Sequence, residues 1–198
     1  MSKVKFLPWI GSEYQKGING KRILVLGESH YCENAKDAVS SLTIDIIKDL
    51  FDENSFHEPY KNTYTKFAKA LEGGNIDLLG KKRIWNSIAF YNYVQVPISE
   101  ARKAPTAAEF RGAEEAFFQV LEQLQPDYVI AWGQRLYDNL PNKGMQGQDL
   151  IVSSIESHEV WCYTLNNGKN IPLLRITHPS AAFSWDVWHR TILAFLKY

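Results

Sequence analysis

Ile23-Leu24-Val25-Leu26, followed at once by Gly27-Glu28-Ser29-His30-Tyr31, is the stretch on which the fold turns. Four consecutive apolar residues, two of them β-branched, end abruptly in a polar, glycine-led turn. A strand buried on both faces has this pattern, because neither face needs polar residues. Tyr128-Val129-Ile130-Ala131-Trp132, followed by Gly133-Gln134, repeats it. Two further apolar runs end the same way. Ile84 to Tyr91 leads into Asn92 and Tyr93, and Ile171 to Ile176 leads into Thr177-His178-Pro179-Ser180.

Helical spacing fills the gaps between these runs. Val39, Leu42, Ile46, Leu50 and Phe51 share one face, as do Phe110, Ala113, Phe117, Val120, Leu121 and Leu124. Residues 60–71 also read as helix, and Trp188, Ile192 and Phe195 form one face over 185–196. Thr106-Ala107-Ala108-Glu109, after Pro105, fits a capping box that opens the second of these helices. Strand–helix alternation of this kind predicts an α/β fold. The expectation is a three-layer α/β/α sandwich with a central, mainly parallel sheet of about four strands. One domain is expected over 1–198, with its core at about 20–195. Between Gly144 and Asn170 the pattern weakens. Ile151-Val152 and Val160-Trp161-Cys162-Tyr163 suggest a hairpin or small extra strands, and Asn166-Asn167-Gly168 a turn.

Composition narrows the class. The chain has 198 residues, of which 45% are apolar and 13% aromatic, enough for a substantial core. No apolar run reaches the roughly 18–20 residues that span a bilayer. The first residues hold no long apolar stretch, so neither a signal peptide nor a membrane partner is expected. Cys32 and Cys162 are expected to be free thiols of a cytoplasmic protein. Two cysteines cannot by themselves hold a four-thiolate cluster or a structural zinc, and no cofactor or metal is expected. The formal net charge is zero, so a strongly basic nucleic-acid surface is missing. Lys81-Lys82-Arg83 and Arg102-Lys103 are local basic runs, most simply solvated faces. A monomer is expected.

In sheets of parallel strands, ligands gather at the carboxyl ends. The residues after the four runs bring two His, a Glu, two Ser, an Asn and two Tyr to one edge. In that order the chain carries Gly27-Glu28-Ser29-His30-Tyr31, Asn92, Ala131-Trp132-Gly133 and His178-Pro179-Ser180. The ordered set resembles the uracil-DNA glycosylase superfamily. That family has G-Q-D-P-Y or G-E-x-P-G after the first strand, an Asn ending the next, L-W-G after the third and H-P-S after the fourth. Tyr91 to Gln95, with Pro97, Pro105 and Thr106, is similar to its strand, Pro-rich loop and helix start. Each motif is short, and the ordered set spans about residues 20 to 195.

The resemblance implies base excision from single- or double-stranded DNA, or binding of another nucleobase-containing ligand. His178 matches the His that supports charge on the leaving base. Asn92 matches the Asn whose amide recognises the pyrimidine edge. Tyr31 matches the Tyr beside the pyrimidine C5, and Phe183 lies where the family inserts an apolar wedge. Gly27 and Ser180 belong to the same two motifs. The chain departs from the family at Ser29, where a water-activating Asp is expected, and at His30, usually Pro. Glu28 and His30 are the candidates to replace that Asp. Two other readings stay open. One is a catalytically weak or inactive base-binding module, with Trp132, Tyr93 and Trp161 available for stacking. The other is a hydrolase of another substrate using Ser29 and His178, though no G-x-S-x-G elbow surrounds Ser29.

Overall fold

In the computed structural model, which describes residues 3–56, 58–100 and 103–198, the two continuous apolar runs are strands with every residue buried. The strands in chain order are β1 (Trp9–Ile10), β2 (Ile23–Gly27), β3 (Ala89–Asn92), β4 (Tyr128–Trp132), β5 (Met145–Gln146), β6 (Leu150–Ser153), β7 (Glu156–His158), β8 (Val160–Thr164) and β9 (Asn170–Ile176). The helices are α1 (Leu42–Asp49), α2 (Lys61–Glu72), α3 (Leu78–Asn86), α4 (Ala107–Gly112), α5 (Glu114–Leu124), α6 (Gln134–Asp138) and α7 (Trp185–Phe195).

The sheet corrects the expected architecture. Seven strands, not about four, run in the order β1-β3-β2-β4-β9-β8-β5, and β6 and β7 pair separately. The pairings β3–β2, β2–β4 and β4–β9 are parallel, but β1–β3, β9–β8 and β8–β5 are antiparallel. The sheet is therefore mixed rather than mainly parallel. The physical reason is local. The Asn166-Asn167-Gly168 turn, with Gly168 at φ +83°, folds β8 back against β9 as a hairpin. Two residues each in β1 and β5 are too few to carry a period. A second correction concerns the run 84–91. Ile84, Trp85 and Asn86 end α3, and only Ala89–Asn92 is strand. An unbroken apolar run does not distinguish a buried helix end from a strand.

Alternation along the central strands divides the core. Ile23, Val25, Ile130, Trp132, Leu174 and Ile176 pack on one side with residues of α2, α3 and α7. Leu24, Leu26, Val129, Ala131 and Leu173 pack on the other with Phe117, Val120 and Leu121 of α5. Each such aliphatic removed from water contributes about 1.5–3 kcal/mol. Asp127, just before β4, binds Arg22 before β2 and Lys169 in the β8–β9 turn, which ties the amino ends of the strands together.

The basic run at 81–83 lies on α3, where Arg83 pairs with Glu72. Of the second run, Arg102 lies outside the described residues and Lys103 approaches Glu100 at 3.8 Å. Cys32 and Cys162 are both free. Among the described residues no helix is long and apolar enough to cross a membrane.

The capping box forms as the sequence implies. The Glu109 N–H donates to Thr106 Oγ1 at 3.3 Å, and the Thr106 N–H donates to Glu109 Oε2 at 2.6 Å. Thr106→Ala is expected to lower stability by about 1 kcal/mol. Urea unfolding checks this, with a lower midpoint at unchanged slope.

Candidate functional site

The carboxyl ends of β3, β2, β4 and β9 lie side by side, so the four polar segments share one edge. Backbone hydrogen bonds carry the pairing of β2 and β3 beyond the strands. The Tyr93 N–H donates to Gly27 O and the Val94 N–H to Glu28 O. The Ile98 N–H donates to His30 O and the Cys32 N–H to Ile98 O. The turn 27–32 is thus laced to residues 93–98 and holds a defined path.

Asn92 sits opposite Gly27 in the ladder and is 4% exposed. Its side chain lies across Gly27. A Cβ on Gly27 would fall 2.2 Å from Asn92 Oδ1 and 2.8 Å from Phe90 Cζ, so no other residue fits without displacing the amide. Asn92 Nδ2 lies 3.2 and 3.1 Å from the two ring nitrogens of His30. His30 Nε2 is also 2.8 Å from Thr43 Oγ1 on α1. The Asn92 amide nitrogen thus lies against the ring nitrogens of His30, whose Nε2 is held by Thr43 from α1. The Asn92 donor is therefore turned to His30, and its oxygen lies over the glycine.

His30 itself is 3% exposed, with Phe6 packed edge-on at 4.8 Å. Burial pushes its pKa down to about 4, so the ring is neutral at pH 7. The structure makes it a neighbour that orients Asn92. Gln95 closes the arrangement. It donates to Asn92 O and accepts the backbone N–H groups of Lys5 and Phe6.

His178 follows β9 and leans over Gly133, the residue after β4. Gly133 has φ +93°, and a Cβ there would approach His178 Cβ to 3.3 Å. The Gly133 N–H donates to Ile176 O, which fixes the turn. The Ser180 N–H donates to His178 Nδ1 at 3.1 Å, and Ser180 Oγ lies 2.8 Å from the same nitrogen. With Nδ1 accepting, a neutral ring carries its proton on Nε2. Burial lowers the His178 pKa. Glu28 pulls the other way, and Arg135 adds to the lowering.

Asn92 and His178 share a floor. Phe90 touches the Gly27 side, Trp132 meets the His178 ring at 5.8 Å, and the Phe90 and Trp132 rings are 5.1 Å apart. Tyr64 of α2 braces both from below. Gly27 and Gly133 end neighbouring strands, and strands lie about 4.8 Å apart. The amide and the imidazole therefore lie over side-chain-free positions on neighbouring strands, offset by one residue in the ladder.

The other candidates are placed as follows. Tyr31 is 50% exposed at the edge. Glu28 forms a two-pronged ion pair with Arg135 of α6, Nε to Oε2 at 2.8 Å and Nη2 to Oε1. Ser29 Oγ is buried without a hydrogen-bond partner, so the Ser29–His178 pair of the hydrolase reading does not form. Phe183 stacks on Trp188 at 6.2 Å and packs against the core, so its ring is seated rather than projecting. Arg135 was not singled out in the sequence. It lies 107 residues from Glu28, and no spacing rule connects them.

A cleft of about 700 Å³ lies elsewhere, between α2 and α3, lined by Glu72, Ile76, Asp77 and Arg83. It contains no His and no buried amide, so chemistry rather than size directs attention to the strand ends. Among the described residues no three His, Cys, Asp or Glu side chains gather as a metal site. No family model matches the chain, and no curated protein is matched by its sequence.

Two outcomes follow from this geometry. Gly27→Ala is expected to lose about 1–3 kcal/mol through overpacking against Asn92, with a shifted Asn92 side-chain amide resonance as the sign of its displacement. For His30, the unfolded imidazole takes up a proton below about pH 6.5, whereas the folded one does so only below about 4. Between these values the unfolded state holds more protons, so stability falls as the medium is acidified. Relative to a His30→Gln protein, the native chain should lose about 2–3 kcal/mol between pH 7.5 and 4.5. Urea titrations of both proteins at the two pH values check this, and an unchanged difference would contradict a neutral, buried ring.

Proposed function

We propose that the edge formed by Asn92 and His178 is a nucleobase site and that the protein is a uracil-DNA glycosylase-like enzyme, hydrolysing the N-glycosidic bond of uracil or another damaged base in DNA. The observation that carries this reading is the pair of side chains over the two strand-end glycines. Asn92 offers an acceptor oxygen, because its amide nitrogen is turned to His30. His178 offers an Nε2–H donor, because Ser180 occupies Nδ1. An acceptor and a donor at one edge of the sheet suit a base edge with adjacent N–H and C=O groups, as uracil has.

In this reading, negative charge developing on the leaving base is met by His178 Nε2–H, in a partly buried setting. Tyr31 borders the base from the exposed side, and Glu28 is the carboxylate available to orient water. A second reading has one specific support. Ser29 stands in the position of the usual Asp, and both Glu28 oxygens are engaged by Arg135. A site so equipped could bind a base without cleaving it.

Base release from single-stranded and duplex oligonucleotides carrying one uracil separates the two. The native protein is expected to release uracil. His178→Ala should lower kcat by about 100- to 1000-fold, as removing one positioned donor to a developing anion does. Asn92→Ala should weaken both binding and rate. Absence of release from folded native protein across several damaged bases would end the glycosylase reading. Saturable uridine binding that requires Asn92 would then support the binding module.

A further inference from the structure

Arg135 stands outside every motif of the chain, yet it is the residue that controls where the Glu28 charge sits. The Glu28 backbone is fixed by the Val94 N–H, and its side chain is only 11% exposed. Arg135 reaches it from the first turn of α6, two residues after the Gly133 that underlies His178. Its side chain is 49% exposed, yet it spends two of its N–H donors on Glu28 in a planar fork. Surface ion pairs add little stability. A fork of this geometry fixes direction, which a point charge does not.

We infer that Arg135 is a positioning residue of the nucleobase site: its guanidinium fixes the direction of the Glu28 carboxylate, where Glu28 can orient the attacking water that Ser29 has no charge to orient. This rests on the glycosylase reading above. In the step concerned, the water oxygen forms a bond to C1′ of the sugar as the bond from C1′ to the base nitrogen breaks. The electron pair leaves on the base, supported by His178 Nε2–H. The water proton passes to Glu28, and the base takes a proton from solvent. Each oxygen of Glu28 accepts one hydrogen bond from Arg135 and keeps a lone pair for water.

The test does not depend on activity alone. The charged groups acting on His178 are Glu28, from the turn after β2, and Arg135, from α6. Glu28 raises the His178 pKa, and its effect exceeds the lowering by Arg135. The His178 titration midpoint is followed by its Cε1–H resonance in native protein, Glu28→Gln, Arg135→Gln and Arg135→Lys. Glu28→Gln should lower the midpoint. If Arg135 holds Glu28 in place, Arg135→Gln releases the carboxylate to solvent, both charges are lost to His178, and the midpoint falls too. If Arg135 is only a nearby cation, Glu28 stays and the midpoint rises, which would overturn the inference.

Uracil release gives the second readout. Arg135→Gln should reduce kcat by about 10- to 100-fold with KM little changed, as misplacing a reacting partner does, and Arg135→Lys should restore part of it. An unchanged kcat in Arg135→Gln would overturn the inference and leave the glycosylase reading standing. A native protein that releases no base ends that reading, while the direction of the midpoint still decides whether Arg135 positions Glu28.

Discussion

Asn92 lies across Gly27, and everything proposed for the site depends on there being no side chain beneath it. This contact is a consequence of the parallel ladder. β2 and β3 pair with Gly27 opposite Asn92, so the register that buries Leu24, Val25 and Leu26 also brings the amide over the glycine. A slip by one residue would exchange the two packed faces of β3, sending Phe90 and Asn92 to the opposite side of the sheet and away from Gly27. The energy that fixes the amide is therefore hydrophobic and remote. It comes from residues with no chemistry of their own, packed against α2, α7 and α5 on the two sides of the sheet.

The same edge separates its charges by depth. His30 is deep, neutral near pH 7 and bound to Thr43 and Asn92, so it serves to orient the amide. His178 is shallower, held by Ser180 on one nitrogen, with the other directed by default to whatever occupies the floor formed by Phe90 and Trp132. Arg135 sits outermost, half exposed, and pairs with Glu28, whose side chain is 11% exposed. Ordering titratable groups in this way gives each a different response to a ligand that displaces water: the deep ring is unaffected, while the outer pair is strengthened as the local dielectric falls.

Much of this was legible in the residues. Continuous apolar runs marked β2 and β4 because strands covered on both sides have no polar face to show, and Thr106 with Glu109 marked a helix start because the capping box is purely local. The gathering of Gly27, Asn92, Gly133 and His178 followed from the parallel pairing of their strands. What failed to show was non-local or too short. β1 and β5 have two residues each, and although the strand at Val160–Thr164 and the Asn166-Asn167-Gly168 turn were legible, the antiparallel pairing of β8 with β9 in the main sheet was not. Ile84 and Trp85 read as strand because a helix end buried on its inner face is apolar too. The role of His30 as a partner of Asn92, and of Arg135 as a partner of Glu28, depends on contacts 62 and 107 residues apart, which no spacing encodes.

The replacement at Ser29 then has a physical explanation within the proposed function. Ser29 Oγ is buried and without a hydrogen-bond partner, so a carboxylate confined to that place would be desolvated and uncompensated. A lone hydroxyl is far less costly there than a lone charge. One residue earlier, the turn directs Glu28 toward α6, and α6 supplies Arg135 as its counter-ion. Moving the negative charge by one position along the turn thus exchanges an unpaired buried acid for a paired, nearly buried one. The pairing demands a cation on the element that follows β4, just beyond the glycine that makes room for His178. On this view Ser29, Glu28, Gly133 and Arg135 are four parts of one solution, and Ser29 is tolerable only because Arg135 is present.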